Sequence, residues 1–239
     1  MIKIGNGLIY NGDCLEVMKK LPDKSVDLIL CDLPYGTTSC SWDVVIPFES
    51  LWEQYKRLIK PKAAIVLFGQ EPFSSFLRIS NLEMFKYDWY WRKSRPSGFV
   101  NAKLKPLKDI EVISVFSKGA TANGSKNNMV YFPQGLERVD QEWSRPEYYM
   151  DGDRGVNPAR KNHKLSRVIE NTGYPRQVLD FPNSNKGLLH PTQKPLGLME
   201  YLTKTYSNEG DVVLDFCAGS GTTGVAAKNL NRDFIGIEM

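Results

Sequence analysis

Short apolar runs recur through the first half of the chain at Leu8–Tyr10, Val26–Cys31, Ala63–Gly69, Tyr87–Trp91 and Ile110–Phe116, most of them separated by segments of helical length. Runs that stay apolar at successive positions read as strands buried on both faces. Helical spacers between them make the connections βαβ units, so a mainly parallel sheet is predicted. The pattern lapses over 119–189, where Asn, Ser, Arg, Pro and Tyr dominate with little periodicity. It resumes with a helix entered at Pro195, a strand Val212–Phe216, a helix Thr222–Leu230 and a last strand Phe234–Glu238. The expected organisation is therefore one α/β domain in two parts, 1–118 and 190–239, with 119–189 as an insertion. A segment of about 70 residues is too long for an ordinary connection. No internal repeat or low-complexity tract is present.

Two strand ends carry candidate chemistry. The first is CDLPYGTTSCSWD, Cys31–Asp43, where a buried strand stops in an acid, a proline, an aromatic and a glycine. The second is VVLDFCAGSGTTGVAA, where a strand ends at Asp215, turns through Ala218, Gly219, Ser220 and Gly221, and enters a helix at Thr222 or Thr223. Glycines there let a ligand approach the backbone, and a helix start presents unpaired N–H groups. The spacing is not the dinucleotide GxGxxG, and an acid before the loop repels a pyrophosphate but suits an ammonium. Glu238 ends the next strand, where a carboxylate can accept both hydroxyls of a ribose. A ligand with a ribose and a cationic amine in place of phosphates is implied, and S-adenosylmethionine has both.

Composition changes this picture little. With 239 residues, 41% hydrophobic and 24% charged, the chain is an ordinary soluble type, and its net charge of +4 permits a polyanionic partner without requiring one. Cys14, Cys31, Cys40 and Cys217 form no CxxC pair, and His163 and His190 have no ligand cluster, so neither a disulfide framework nor a metal site is expected. A reducing cytosol fits these cysteines. The N-terminus lacks a basic segment followed by an apolar core, and no run approaches about 18 apolar residues, so neither export nor membrane embedding is expected.

DLPY at Asp32–Tyr35, HPTQKP at His190–Pro195, DFCAGSGTT at Asp215–Thr223 and GIE at Gly236–Glu238 together resemble the amino-DNA methyltransferases. Their order, catalytic motif first and cofactor loop last, is that of the β group, and Trp91–Gly119 is also similar to that family. The resemblance implies a doubly wound, Rossmann-like sheet of seven strands with one reversed, an irregular target-recognition insertion, S-adenosyl-L-methionine as cofactor and DNA as partner. It implies a bacterial or phage-encoded cytoplasmic enzyme, and leaves a homodimer and a cognate restriction endonuclease open.

The same resemblance assigns roles. The Asp32 carboxylate and the Leu33 carbonyl accept the two N–H groups of an exocyclic amine, Pro34 stiffens the turn and Tyr35 stacks on the extruded base. Leu33 stands where the family usually has a second proline, which keeps the carbonyl and loosens φ. An Asp at the first position tilts the target toward adenine N6, with cytosine N4 as the alternative; a nicotinamide-dependent oxidoreductase and a non-catalytic DNA-binding module are the remaining readings. Cofactor contacts fall to Asp32, Thr192, Gln193 and Lys194, the last facing the methionine carboxylate, and to Asp215, Ala218, Gly219, Gly221, Thr222 and Glu238. Asp13 accepts from the adenine amine with the backbone at Cys14 beside it, or is a plain helix N-cap. Lys93, Arg95, Asn101, Lys103 and Lys105, on an expected flexible loop, contact DNA. The chain stops at Met239, directly after Glu238, where the family continues with a helix, so a shortened chain with a looser cofactor site is expected.

Overall fold

The structure is a computed structural model and describes residues 1–37, 40, 43–144, 166–183 and 193–239. The chain divides into two units, Met1–Phe132 with Arg176–Met239, and Pro133–Pro175. In chain order the elements are β1 Ile2–Ile4, β2 Gly7–Asn11, α1 Cys14–Met18, β3 Val26–Asp32, α2 Phe48–Leu58, β4 Ile59–Gly69, α3 Phe73–Ser80, β5 Phe85–Ser97 and β6 Lys108–Ser117. There follow β7 Glu137–Ser144, β8 Ser166–Thr172, β9 Val178–Phe181, α4 Leu196–Tyr206, β10 Val212–Asp215, α5 Thr222–Asn229 and β11 Asp233–Glu238.

In β3, Leu28 and Leu30 point to one side while Ile29 and Cys31 point to the other, and all four are fully buried. A strand without a polar face needs cover on both sides. The cover on one side is α1, α2 and α3, through Met18, Leu51, Tyr55 and Leu77. The other side is packed by α4 and α5, through Leu198, Leu202, Tyr206, Ala226 and Ala227. α2 buries Leu51, Trp52, Tyr55 and Leu58, the i, i+1, i+4, i+7 spacing that makes one helix face. α5 is thin because it must lie close to the sheet: a Cβ added at Gly224 would sit 2.7 Å from the Phe234 ring.

The sheet order is β1-β2-β11-β10-β3-β4-β6-β5-β9. β2, β11, β10, β3 and β4 are parallel, β6 is reversed against β4 and β5, and β5 therefore runs with β3. The central seven strands match the expected sheet with one reversed strand, and β1 and β9 extend its edges to nine. From β3 the chain goes on to β4; from β10 it goes the other way, to β11. The boundary between β3 and β10 is thus the point where strand order reverses, the place where open α/β sheets bind ligands.

The insertion is narrower than the expected 119–189. Met129 and Leu179 are buried in the main core, Val130 N donates to the Lys62 carbonyl at 2.8 Å, and β9 pairs with β5 from Tyr90↔Val178 to Lys93↔Phe181. Apolar side chains too few to show a periodicity still join a core that other segments supply. The second unit is built on the antiparallel pair β7 and β8, in register from Glu137↔Thr172 to Ser144↔Ser166.

Candidate active site

Asp32 and Asp215 end the neighbouring parallel strands β3 and β10, whose register is Val213↔Leu28 and Leu214↔Ile29. Two motifs from opposite ends of the chain therefore share one sheet edge.

Asp32 sits in a network of fixed charges. Its Oδ2 accepts from Lys194 Nζ at 2.5 Å and its Oδ1 from the Tyr35 hydroxyl at 2.5 Å. Lys194 Nζ also lies 2.8 Å from Glu111 Oε1, and Glu111 Oε2 lies 2.7 Å from Lys93 Nζ. The Tyr35 hydroxyl is 3.3 Å from Glu111 Oε1. The network holds two carboxylates and two ammonium groups, so it is neutral as a whole, the condition under which charges can stay buried. The Asp32 side chain keeps 25% exposure, against 4% for Glu111 and 9% for Lys194, so Asp32 is the member that opens outward. Burial raises the Asp32 carboxyl above the usual range, and Glu111 adds to this while Lys194 and Tyr35 oppose it. Burial also works against ionised Glu111, yet Lys194 and Lys93 outweigh it and hold that carboxyl below the usual range. Lys194 loses hydration but gains two carboxylates, and its ammonium is held well above the ordinary lysine value.

The turn after Asp32 is built to stay put. Leu33 is buried in the core, the Tyr35 ring packs 5.2 Å from Phe73, and Asp43 accepts from Gly36 N at 2.8 Å and Thr37 N at 2.9 Å. Leu33 thus regains through packing some of the rigidity that a second proline supplies through φ. Lys194 precedes Pro195, the N-cap residue of α4; its ammonium lies 5.0 Å from the centre of the Phe68 ring.

The second half of the site is the loop 215–221. Asp215 is 3% exposed, its Oδ1 accepts from Cys217 N at 3.1 Å and its Oδ2 from the Thr223 hydroxyl at 2.5 Å. Burial raises this carboxyl to about 6, opposed by hydrogen bonds from Thr223, Cys31 and the Cys217 backbone. Gly221, at φ +77°, is the N-cap of α5, and a Cβ added at Gly219 or Gly221 would meet no atom within 4 Å. The loop is therefore an open backbone cradle. Ala218 N donates to the Ile237 carbonyl at 3.0 Å, which ties the loop to β11, and Thr222 is buried at the helix start. Glu238 Oε2 accepts from Gly219 N at 2.6 Å, and Gly12 N donates to the Glu238 carbonyl at 2.9 Å. The carboxylate expected at the ribose thus stands at the cradle. An open backbone with a carboxylate beside it fits a ligand that carries a ribose.

Several expected roles change in this setting. Lys93 is not a free phosphate contact: its side chain is 15% exposed and paired with Glu111. Lys194 spends its ammonium on Asp32 and Glu111, so it is not simply presented to a cofactor carboxylate. Asp215 accepts from Cys217 N and the Thr223 hydroxyl, donors of its own loop and of the helix that follows. Asp13 is the N-cap of α1, with Oδ1 accepting from Glu16 N at 3.0 Å. Cys14 follows it, and burial raises its thiol to about 12. Gln193 is half-buried, and Thr192 and His190 lie outside the described residues. Arg95, Asn101, Lys103 and Lys105 are exposed: Arg95 lies near the end of β5, Asn101 ends the 3₁₀ turn Phe99–Asn101, and Lys103 and Lys105 lie in the loop between that turn and β6. Glu111 was missed because β6 reads as a core strand; an acid in an otherwise apolar run was the available signal.

Fold and site together define a Rossmann-like methyltransferase. The family model described as DNA methylase, for N6 and N4 enzymes, matches residues 26–239. The chain belongs to this DNA methylase family. It is 31% identical over 240 residues to the type II methyltransferase M.HpaI of Haemophilus parainfluenzae, covering 95% of this chain and 68% of that protein. It is 30% identical over 249 residues to the DNA adenine methyltransferase YhdJ of Escherichia coli K12, covering 97% and 78%. Among solved structures, the M1.HpyAVI–SAM complex matches with a TM-score of 0.62 at 28% identity, over 97% of this chain and 92% of that one. The cytosine-N4-specific PvuII methyltransferase shares the fold, with a TM-score of 0.67 at 18% identity, over 98% and 82%.

Proposed function

We propose that the protein is an S-adenosylmethionine-dependent DNA methyltransferase acting on the N6 amine of an adenine turned out of the duplex. The observation that carries this reading is the adjacency of β3 and β10, which puts the acid of DLPY and the glycine cradle of DFCAGSGTT on one edge. The adenine specificity named for YhdJ supports N6 over N4.

When bound, the cofactor supplies an electrophilic methyl group on a sulfonium. Gly219, Gly221 and Glu238 would hold its adenosine part at the cradle, with Asp215 fixing the loop. An aromatic amine is a weak nucleophile because its lone pair is delocalised, so the protein's task is orientation and charge placement. Asp32 and the Leu33 carbonyl accept the two N–H groups and direct the lone pair toward the methyl. An amine that gains a methyl group would become acidic, and Asp32 would be placed to take its proton. The Tyr35 hydroxyl, between Asp32 and Glu111, can turn wholly to Glu111 and free Oδ1 for that contact.

Cytoplasmic location, a homodimer and a cognate endonuclease belong to the same proposal; among the described residues no helix is long and apolar enough to cross a membrane. The test is transfer of a tritiated methyl group to mixed-sequence DNA, followed by nucleoside analysis. N6-methyladenine is the expected product; N4-methylcytosine would reassign the base, and no transfer would overturn the reading.

A further inference from the structure

β5 and β6 continue past the sheet as a two-stranded arm. Their pairing runs through Trp91↔Glu111 and Arg92↔Ile110 and resumes at Ser97↔Lys108 after an irregularity. Because β5 runs in the same direction as β3, the arm leaves the sheet at the edge that carries Asp32. Between Arg92↔Ile110 and Ser97↔Lys108, β5 spends five residues against two of β6, so the arm is bulged and rises about 7 Å before the turn at Gly98.

The tip is apolar where a surface loop is ordinarily polar. Phe99 is 66% exposed, Val100 98% and Leu104 85%. They are held by a tight turn: Gly98 is left-handed at φ +92°, Asn101 N donates to the Gly98 carbonyl at 3.0 Å, and the Asn101 carbonyl accepts from Leu104 N at 2.9 Å and Lys105 N at 3.1 Å. The skirt is cationic. Arg95, Lys103 and Lys105 are exposed, and residues 92–108 contain no acid. An apolar point ringed by cations complements a polyanion with an apolar interior, which describes a base stack between two phosphate backbones.

We propose that this arm is a DNA wedge: Phe99, Val100 and Leu104 enter the stack beside the nucleotide delivered to Asp32, while Arg95, Lys103 and Lys105 hold the flanking phosphates. The proposal rests on the reading of the protein as a DNA methyltransferase. Extruding a base breaks its stacking and leaves a gap, and apolar side chains placed there offset that cost. An arm that leaves the sheet at the edge carrying Asp32 suits a tip that meets the stack while the strand ends meet the extruded base.

The test uses an oligonucleotide duplex carrying a sequence that the parent protein methylates in mixed DNA. Phe99→Ser, Val100→Ser and Leu104→Ser are compared with the parent on this duplex and on one with an abasic site opposite the target, where extrusion costs less. Exposed positions should tolerate serine, and thermal melts check this. The expected result is a turnover loss of about tenfold or more on the normal duplex, a loss under about threefold on the abasic duplex, and a smaller rise in fluorescence of 2-aminopurine at the target position. Equal losses on both duplexes, or no loss, overturn the wedge and leave the methyltransferase reading standing. Variants that change only self-association in sedimentation, or only binding to anionic vesicles, assign the tip to a second copy or a membrane and overturn the wedge too. A parent without methyl transfer to any DNA overturns both readings.

Discussion

Glu111 Oε1 lies 2.8 Å from Lys194 Nζ, joining a buried acid of the reversed strand to the lysine that grips Asp32. Lys194 is therefore divided between two carboxylates. Asp32 keeps more of its acceptor strength than a one-to-one ion pair would leave it.

Glu111→Gln removes a negative charge that raises the Asp32 carboxyl. Asp32 then ionises at lower pH and is neutralised more completely by Lys194. We expect turnover to fall about tenfold or more and the acid limb of the kcat/KM profile to move to lower pH. A profile with an unmoved acid limb would rule out this coupling. Stability should respond as well: the Glu111 carboxyl is held below its ordinary value, so its contribution is present above that value and lost as pH falls through the depressed one.

Lys194→Met leaves Asp32 and Glu111 facing each other without their shared cation. Breaking a buried pair costs roughly 3–5 kcal/mol, so a lower Tm is expected with turnover reduced more than about a hundredfold. Calorimetry with S-adenosylhomocysteine separates the two roles of Lys194. An affinity within about threefold of the parent fits a lysine that serves Asp32, whereas a large loss returns it to the cofactor carboxylate.

Asp32→Ala should retain S-adenosylhomocysteine binding and lose more than about a hundredfold in turnover, because its contacts to the amine are required chiefly in the transition state. Near-parental turnover would remove Asp32 from the chemistry.

Asp215→Ala deletes both acceptors that shape the cradle and should weaken S-adenosylhomocysteine by more than about tenfold with DNA affinity unchanged. Asp215→Asn keeps a group able to make both contacts. The native carboxyl is raised from 3.8 to about 6, so its protonated form favours the folded state below 3.8 and that contribution is lost as pH rises to about 6. The Tm difference, variant minus parent, should therefore increase across this window and then level off; a flat difference would place Asp215 elsewhere.

Lys103→Ala and Lys105→Ala should each weaken DNA binding at low salt and reduce the log–log salt slope by about 1. Lys93→Ala should act mainly on turnover, through Glu111. A salt slope reduced equally by Lys93→Ala would return that lysine to the phosphates.

The sequence by itself determined the central strands, the two motifs and the cradle, because these are local: Leu28–Cys31 of β3 and Val212–Leu214 of β10 are apolar runs that lead into Asp32 and Asp215, and the left-handed turn at Gly219 and Gly221 favours residues without a Cβ. A carboxylate at Glu238 beside that turn was equally legible, since it ends the next strand. What only the tertiary structure decided was the pairing of charges. Lys194 meets Asp32 across 162 residues of sequence, and Glu111 joins them from the reversed strand. A lysine in a basic run carries no mark of its partner, so Lys93 resembled its exposed neighbours until β5 and β6 set it beside Glu111. Asp215 likewise reads as an acid facing a ligand until the first turn of α5 brings the Thr223 hydroxyl to it. Charge is written residue by residue, but the burial and neighbours that set its energy belong to the folded chain.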